Sequence, residues 1–305
     1  MRNKHGGDIY RAAAPRVRER LYLVLLLLSL LAPPALLQAQ PQRIVSTAPS
    51  ITEMLFALGL GDRIVGVTTF CHFPEEAKSI AKVGTYIQPN LEVILALRPD
   101  LVVIQENPVR LKEKFEAVRL NVLELKHMSV SDVYSSIAQL GDAAGVPGRA
   151  TDLNASIRSR LDAIRAKTAG LERRRMMFIV GRSPDAIEGL IAVGSASYLN
   201  ELIDAAGGGN VFLESAAPYP KVSLEEVLAR NPEVIADMGD MADTAGVTEE
   251  QKQRVIRLWE RYPTLAAVRR NGVHAIASDI YVVPGPRMIE AAEAFARMLH
   301  PEAGF

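Results

Sequence analysis

The 305-residue chain balances 35 Lys and Arg against 35 Asp and Glu, is 49% hydrophobic but only 6% aromatic, and holds one cysteine. That balance, with no basic stripe, excludes a nucleic-acid binder, and the apolar share excludes a disordered chain. A single cysteine excludes an internal disulfide framework.

Residues 1–39 read as an export signal. Lys4, Arg11, Arg16, Arg18 and Arg20 form a positive opening, residues 21–32 are an apolar stretch too short to span a bilayer comfortably, and Leu37-Gln38-Ala39 offers a small residue before a cut. The mature chain is then expected to start near Gln40, with an uncleaved anchor as the alternative. Taking the six bases and two acids of that segment from 35 of each leaves 29 against 33, a net charge of −4. Cys71 lies far from the cut, where no cysteine is available to carry a lipid. A freely soluble exported protein of this kind is expected in a Gram-negative periplasm.

From Arg43 onward, short apolar strands alternate with helical patterns. Strands are expected at 44–46, 64–68, 101–104 and 121–125. A helix is expected over 51–58, closed by Gly59 and Gly61. Such alternation predicts a parallel sheet covered by helices, here a first lobe over 40–146. Residues 147–172 then keep apolar Leu153, Ile157, Leu161 and Ile164 at helical spacing, which predicts a connecting helix roughly 30 Å long. A second lobe, 173–305, restarts with strand 176–180. It continues through helix 198–206, strands 234–236 and 273–277, and a last helix over 286–299.

One segment occurs twice. Asn90-Leu-Glu-Val-Ile-Leu-Ala-Leu-Arg-Pro-Asp returns as Ser223-Leu-Glu-Glu-Val-Leu-Ala-Arg-Asn-Pro-Glu, offset by 133 residues (Glu92 to Glu225). Each copy opens with a capping residue, runs as a short amphipathic helix, stops at Pro and enters an apolar strand. The fold class is therefore α/β, two Rossmann-like lobes joined by a single long helix, and the cleft between such lobes favours a small-molecule ligand.

Catalytic chemistry is not assembled by the sequence. Gly207-Gly-Gly209 has neither dinucleotide-loop nor P-loop spacing, Ser195 lies outside a nucleophile elbow, and no histidine pair has metal-ligand spacing. His72, beside Cys71, is a weak candidate for a metal or haem contact. Aromatics at strand ends are more telling. Phe70 and Phe73 follow one strand, Tyr86 lies in a Gly-Thr-Tyr loop, Tyr219 sits between two prolines and Tyr281 follows Asp279. Aromatic walls on the edge that lines a cleft suit a large, flat, partly apolar ligand. Glu92 and Glu225 occupy the first helical turn, where the helix dipole already favours an acid. Because Glu226 takes the capping-box position, Glu225 is free to face outward, and one exposed acid on each lobe makes a pair of anchors for a two-fold partner.

The run 43–62 (RIVSTAPSITEMLFALGLGD), with Val65-Gly-Val-Thr, Val83-Gly-Thr, Asn90-Leu-Glu and Ser278-Asp-Ile-Tyr-Val-Val-Pro-Gly-Pro-Arg287, resembles the helical-backbone periplasmic binding proteins of ABC importers. Within them the likeness is closest to the cobalamin receptors. That resemblance implies a monomeric carrier that is no enzyme, has no intrinsic cofactor, binds cobalamin or another corrinoid, and delivers it to an inner-membrane permease dimer. It places ligand-contacting aromatics at Phe70, Tyr86 and Tyr219 and an acidic contact at Asp279, and it gives Glu92 and Glu225 to arginines of the permease. Tyr86 and Tyr219 stand where the best-known receptor has Trp, Val283 stands in place of a basic contact, and His72 replaces an acid. Haem or a ferric siderophore is the alternative ligand, and a two-lobed periplasmic enzyme the remote alternative.

Overall fold

In the first half of the chain, β1 (Ile44–Ser46) and β3 (Leu101–Gln105) are buried at every residue. Unbroken apolar runs of this kind belong in a parallel sheet covered on both faces. The computed structural model describes residues 40–107, 109–239 and 248–305, so the export signal expected over 1–39 lies outside the described residues. Residues Pro41–Phe305 form one compact unit. Its first sheet has the order β2 (Ile64–Val67), β1, β3, β4 (Val122–Leu125), with every pairing parallel. Between the strands run α1 (Pro49–Ala57), α2 (Leu91–Ala96) and α3 (Leu111–Glu116), and α4 (Val130–Ala143) follows β4. Pro49 sits in the first turn of α1, where its missing N–H costs nothing. No element is read from the sequence over α4, although Ser129 and Asp132 form a capping box there.

The connecting helix is α5 (Pro147–Thr168), whose buried stripe is Ala150, Ile157, Leu161, Ile164 and Thr168. It ends before residue 172 because Ala169 leaves the helical region and Gly170 takes φ +84°. Its first half is fixed to the first lobe. Arg149 donates to the Leu58 carbonyl at 3.0 Å, and Asn154 donates to the Tyr134 carbonyl at 2.9 Å. Its second half belongs to the other lobe, with Arg160 on Glu293 at 2.7 Å and Lys167 on the Gly304 carbonyl at 2.7 Å.

The second sheet is mixed. β5 (Arg175–Gly181) is flanked on one side by β9 (Val234–Asp237) and then β10 (Val273–Ala275), all parallel. On the other side lie β6 (Leu190–Ala192) and then β8 (Lys221–Val222), both antiparallel to their neighbours, while the short β7 (Gly209–Asn210) pairs in parallel with the start of β5. The sequence expectation of alternating strand and helix misses β6 and β8. The link from β5 to β6 is too short for the crossover that a parallel pair needs, and it closes as a hairpin through Ser183 N–H to the Glu188 carbonyl at 2.9 Å. Helices of this half are α6 (Tyr198–Ala205), α7 (Leu224–Arg230), α8 (Glu249–Glu260), α9 (Ala266–Arg269) and α10 (Met288–Leu299). One buried apolar cluster joins Ile44 and Leu55 of the first lobe, Leu161 of α5, and Phe178 and Phe295 of the second. Opening the lobes widely would expose that cluster, so the fold favours small hinge movements.

The sequence repeat is a structural one. Asn90 Oδ1 accepts from Val93 N–H at 3.1 Å and Ser223 Oγ accepts from Glu226 N–H at 3.2 Å, capping α2 and α7. Ile94 and Val227 point inward and are fully buried, whereas the matched Leu95 and Leu228 are exposed. After each helix a non-glycine residue turns left-handed, Arg98 at φ 46° and Asn231 at φ 44°. A clasp then ties the helix to the first strand of its lobe. Arg43 donates to the Leu97 carbonyl at 2.7 Å and Arg175 to the Arg230 carbonyl at 2.9 Å. The Arg43 N–H is held by Asp100 at 2.9 Å, and that of Arg175 by Glu233 at 3.0 Å.

Candidate functional site

Between the lobes lies a cavity of ≈ 520 Å³, within the usual range for a small-molecule site. The first lobe builds its wall from the C-terminal end of each strand. Pro49 and Ser50 follow β1, Phe70 and His72 follow β2, Gln105 ends β3, and His127 and Met128 follow β4. This is the edge at which parallel sheets present ligands. The second lobe adds Tyr198 at the start of α6, Tyr219 just before β8, and Asp279 with Val282, Val283 and Pro284 after β10.

Local chemistry holds these side chains in place. Gly84 takes φ +94°, and a Cβ there would sit 2.6 Å from the Gln88 carbonyl, so only glycine lets the loop carrying Tyr86 close. The Tyr86 hydroxyl donates to the Glu106 carbonyl at 3.1 Å, and burial together with the Glu106 charge pushes its pKa up. Tyr219 accepts from Ser197 Oγ at 3.3 Å, and burial raises its pKa as well. Phe70 is 59% exposed, an apolar ring left at the cavity mouth. His127 has its pKa lowered by burial, against the pull of Asp132 and Glu106, and its Nδ1 is buried without a hydrogen-bond partner. The neutral ring therefore keeps an unused polar atom next to the cavity.

Of the residues singled out in the sequence, Phe70, His72, Tyr86, Tyr219 and Asp279 line this one cavity. Tyr281 does not, and its expected place on the wall is corrected. Its ring is buried in the core, edge-on to Phe178 at 5.8 Å and beside Phe295 at 5.5 Å. Asp279 and Tyr281 share the tight 3₁₀ turn Asp279–Tyr281, where side chains two positions apart leave on different faces. Cys71 turns inward, within 3.2 Å of Thr52 Oγ1 and 3.1 Å of the Thr68 hydroxyl. Among the described residues no group of three or more His, Cys, Asp and Glu is placed to hold a metal ion. Gln105, His127 and Met128 carry no aromatic or motif signal in the sequence, yet the strand-end rule that locates Phe70 applies equally to the ends of β3 and β4.

A charged cluster stands behind Asp279. Arg287 donates from Nη2 to Asp279 Oδ2 at 2.9 Å and to Glu53 Oε1, and from Nε to Glu53 Oε2 at 3.0 Å. Glu53 belongs to α1 of the first lobe, so this guanidinium bridges the lobes. Phe73, also of the first lobe, covers it, with the Arg287 Cζ 3.8 Å from the ring centroid. Burial raises the Glu53 pKa to about 7 although Arg287 pulls it down. Burial alone would lower Arg287, but its bonds to Glu53 and Asp279 hold it above the ordinary value.

Glu92 and Glu225 are both exposed, at matched positions of α2 and α7. Among the described residues neither makes an ion pair or a side-chain hydrogen bond, since the cap of α7 is completed by Glu226, whose Oε2 accepts from Ser223 N–H at 2.8 Å.

The fold recurs in known proteins. Residues 44–279 match the model of a family described as periplasmic binding protein. A vitamin B12-binding protein of Vibrio parahaemolyticus is 31% identical over 252 residues, covering 82% of this chain and 86% of that one. The crystal structure of the periplasmic vitamin B12-binding protein of Vibrio cholerae superposes with a TM-score of 0.72 at 26% identity, covering 87% of this chain and 99% of that chain. A periplasmic haem-binding protein of Pseudomonas aeruginosa gives a TM-score of 0.72 at 25% identity, covering 86% and 94%. The chain belongs to the periplasmic binding protein family of ABC importers.

Proposed function

We propose that the protein captures cobalamin or a related corrinoid in the interlobe cavity and hands it to an inner-membrane ABC permease dimer. It works as a monomer in the periplasm, after loss of residues 1–39. The observation that carries this reading is the cavity itself. Phe70, Tyr86, Tyr198 and Tyr219 converge on it from both lobes, with one carboxylate, Asp279, on its wall. Flat aromatic faces suit a macrocycle, and a carboxylate accepts hydrogen bonds from peripheral amides. The relatives named for vitamin B12 favour cobalt over iron as the metal of the ligand. The exposed pair Glu92 and Glu225 is the proposed docking contact, one on each lobe.

Haem is the second reading. It is favoured by the unpartnered Nδ1 of His127 and by His72 on the same wall, since an imidazole can fill an axial position on a metal whose other positions a macrocycle already occupies. Titration with cyanocobalamin, haemin and a ferric siderophore in turn, followed by visible spectra and calorimetry, separates these ligands. Cyanocobalamin is expected to bind the wild type, and Tyr86→Ala or Tyr219→Ala to weaken it by about 1 kcal/mol beyond lost burial. Tight haemin binding with none of cyanocobalamin would replace the corrinoid reading with the haem one.

A further inference from the structure

The Glu53–Arg287–Asp279 cluster is graded from core to cavity. Glu53 is 3% exposed, Arg287 14% and Asp279 33% at the side chain, and only Asp279 reaches the cavity wall. One guanidinium thus faces two carboxylates contributed by opposite lobes. With both ionised the cluster carries an excess negative charge, and burial of an uncompensated charge is costly. Two arrangements relieve it. Either Glu53 keeps a proton and Arg287 is matched by Asp279 alone, or Glu53 is ionised and a donor from outside compensates Asp279.

We propose that Arg287 is the positioning residue of the cavity's acidic contact, coupling the ligand's engagement of Asp279 to the release of a proton from Glu53 in the opposite lobe. This rests on the cavity being the ligand site. The bonding pattern assigns the roles. Ionised Glu53 takes Arg287 through both Nε and Nη2, leaving Asp279 with a single shared donor and a carboxylate free to accept from ligand amides or a cationic centre. Protonated Glu53 loosens that grip, and Asp279 becomes the sole counter-charge of Arg287, less available to the ligand. Phe73 caps one face of the guanidinium, a contact that favours its charged form. The other titratable groups that face Glu53 are Glu290 of α10, whose charge also favours the protonated form, and the buried phenol of Tyr198 at the start of α6.

The sign follows. A ligand that prefers ionised Glu53 lowers its pKa in the complex, so binding releases a proton near neutral pH and affinity rises with pH until Glu53 is fully ionised. Calorimetry of cyanocobalamin binding to the full mature protein, at neutral pH in two buffers of different ionisation enthalpy, is expected to show proton release. Affinity should rise about fivefold between about pH 6 and about pH 8. Glu53→Gln, a stand-in for the protonated form, should bind at the weak limit with no pH dependence. Arg287→Lys should keep part of the pH dependence and Arg287→Ala none, while a merely structural role would leave the slope intact. Wild-type binding without proton release, or an unchanged slope in Glu53→Gln, overturns the proposal.

A ligand-free measurement separates this from the ligand assignment. A folded-state carboxyl held at about 7 against an ordinary 4.5 contributes stability that is lost as pH rises through that window. Urea midpoints of wild type minus Glu53→Gln should therefore fall across it. If no chelate binds at any pH, the ligand reading fails, and a flat difference then overturns the coupling as well.

Discussion

The two copies of the strand–helix clasp share their backbone and differ in their chemistry. In both, an arginine at or just before the start of the lobe's first strand reaches the end of the repeated helix, and an acid holds that arginine's N–H. Where the first lobe has Ile104 in β3, however, the matched position of β9 is Asp237, which is fully buried. Asp237 accepts from Arg182 Nε at 3.0 Å, from Trp259 Nε1 at 2.7 Å and from Gly239 N–H at 2.7 Å. The first lobe leaves its strand ends free to face the interlobe cavity. The second ties off the ends of β5 and β9 with a polar network and lines the cavity from loops and the start of α6 instead. One scaffold, used twice, has become a wall in one lobe and a staple in the other.

The largest test of that contrast is at the matched pair. Asp237→Asn removes the counter-charge of Arg182, whose side chain is buried, and should cost about 3–5 kcal/mol of stability. Ile104→Val removes one methyl group and should cost about 1 kcal/mol. Urea denaturation measures both. Equal costs would mean that Asp237 only fills space. Joint replacement of Asp237 and Arg182 by Leu and Met, which removes both charges, should recover much of the loss.

The clasp acids come next. Glu233 is 11% exposed at the side chain and holds Arg270 at 2.6 Å as well as the Arg175 N–H, so Glu233→Ala should cost about 2 kcal/mol. Asp100 is exposed, and among the described residues its carboxylate serves only the Gln42 and Arg43 N–H groups, at 2.7 and 2.9 Å, so Asp100→Ala should cost about 1 kcal/mol. The reverse order, read from chemical denaturation of the two variants, would show that burial does not set the difference.

Much of this architecture is legible in the sequence, because parallel strands are unbroken apolar runs and the repeat fixes where the second lobe resumes. The helix start near Ser223 and the strand at β9 follow from local pattern alone. What stays hidden depends on distant partners. Glu53 reads as one more helix acid, and nothing near it names Arg287, 234 residues away. Tyr281 reads as a loop aromatic because the turn that aims it into the core is a three-residue element without its own pattern. β6 and β8 are missed because strands of three and two residues leave too few positions for periodicity to register. The cavity is legible only through a rule about strand ends, and aromatics alone recover part of its wall.

A smaller effect is expected where the copies share an awkward backbone. Arg98 and Asn231 both adopt positive φ, a region that Asn tolerates better than Arg. Arg98→Asn should raise stability by about 0.5 kcal/mol with ligand affinity unchanged. The opposite exchange, Asn231→Arg, should lose more than that, because Asn231 Oδ1 also accepts from Ala266 N–H at 2.7 Å. Thermal denaturation of the pair gives the sign, and a destabilised Arg98→Asn would show that the arginine's own contacts outweigh its strain.

The smallest effect on the free protein, and the largest on delivery, is expected at Glu92 and Glu225. Both are exposed and unpaired among the described residues, so reversing both to Lys should change stability by less than about 1 kcal/mol and leave ligand affinity as it was. Glu226→Lys is the contrast, since it breaks the bond from Ser223 N–H that completes the cap of α7. Transport in reconstituted vesicles carrying the permease should be lost in the double reversal, because like charges would then meet at the docking face. Each single reversal should lose less, as half of a two-fold contact survives. The exposed Leu95 and Leu228, one turn further along each helix, would still be present, so any residual docking would be apolar and insensitive to salt. If the double reversal transports at the wild-type rate, the two glutamates serve only the dipoles of α2 and α7, and the symmetry of the repeat is a legacy of the scaffold rather than a match to a two-fold partner.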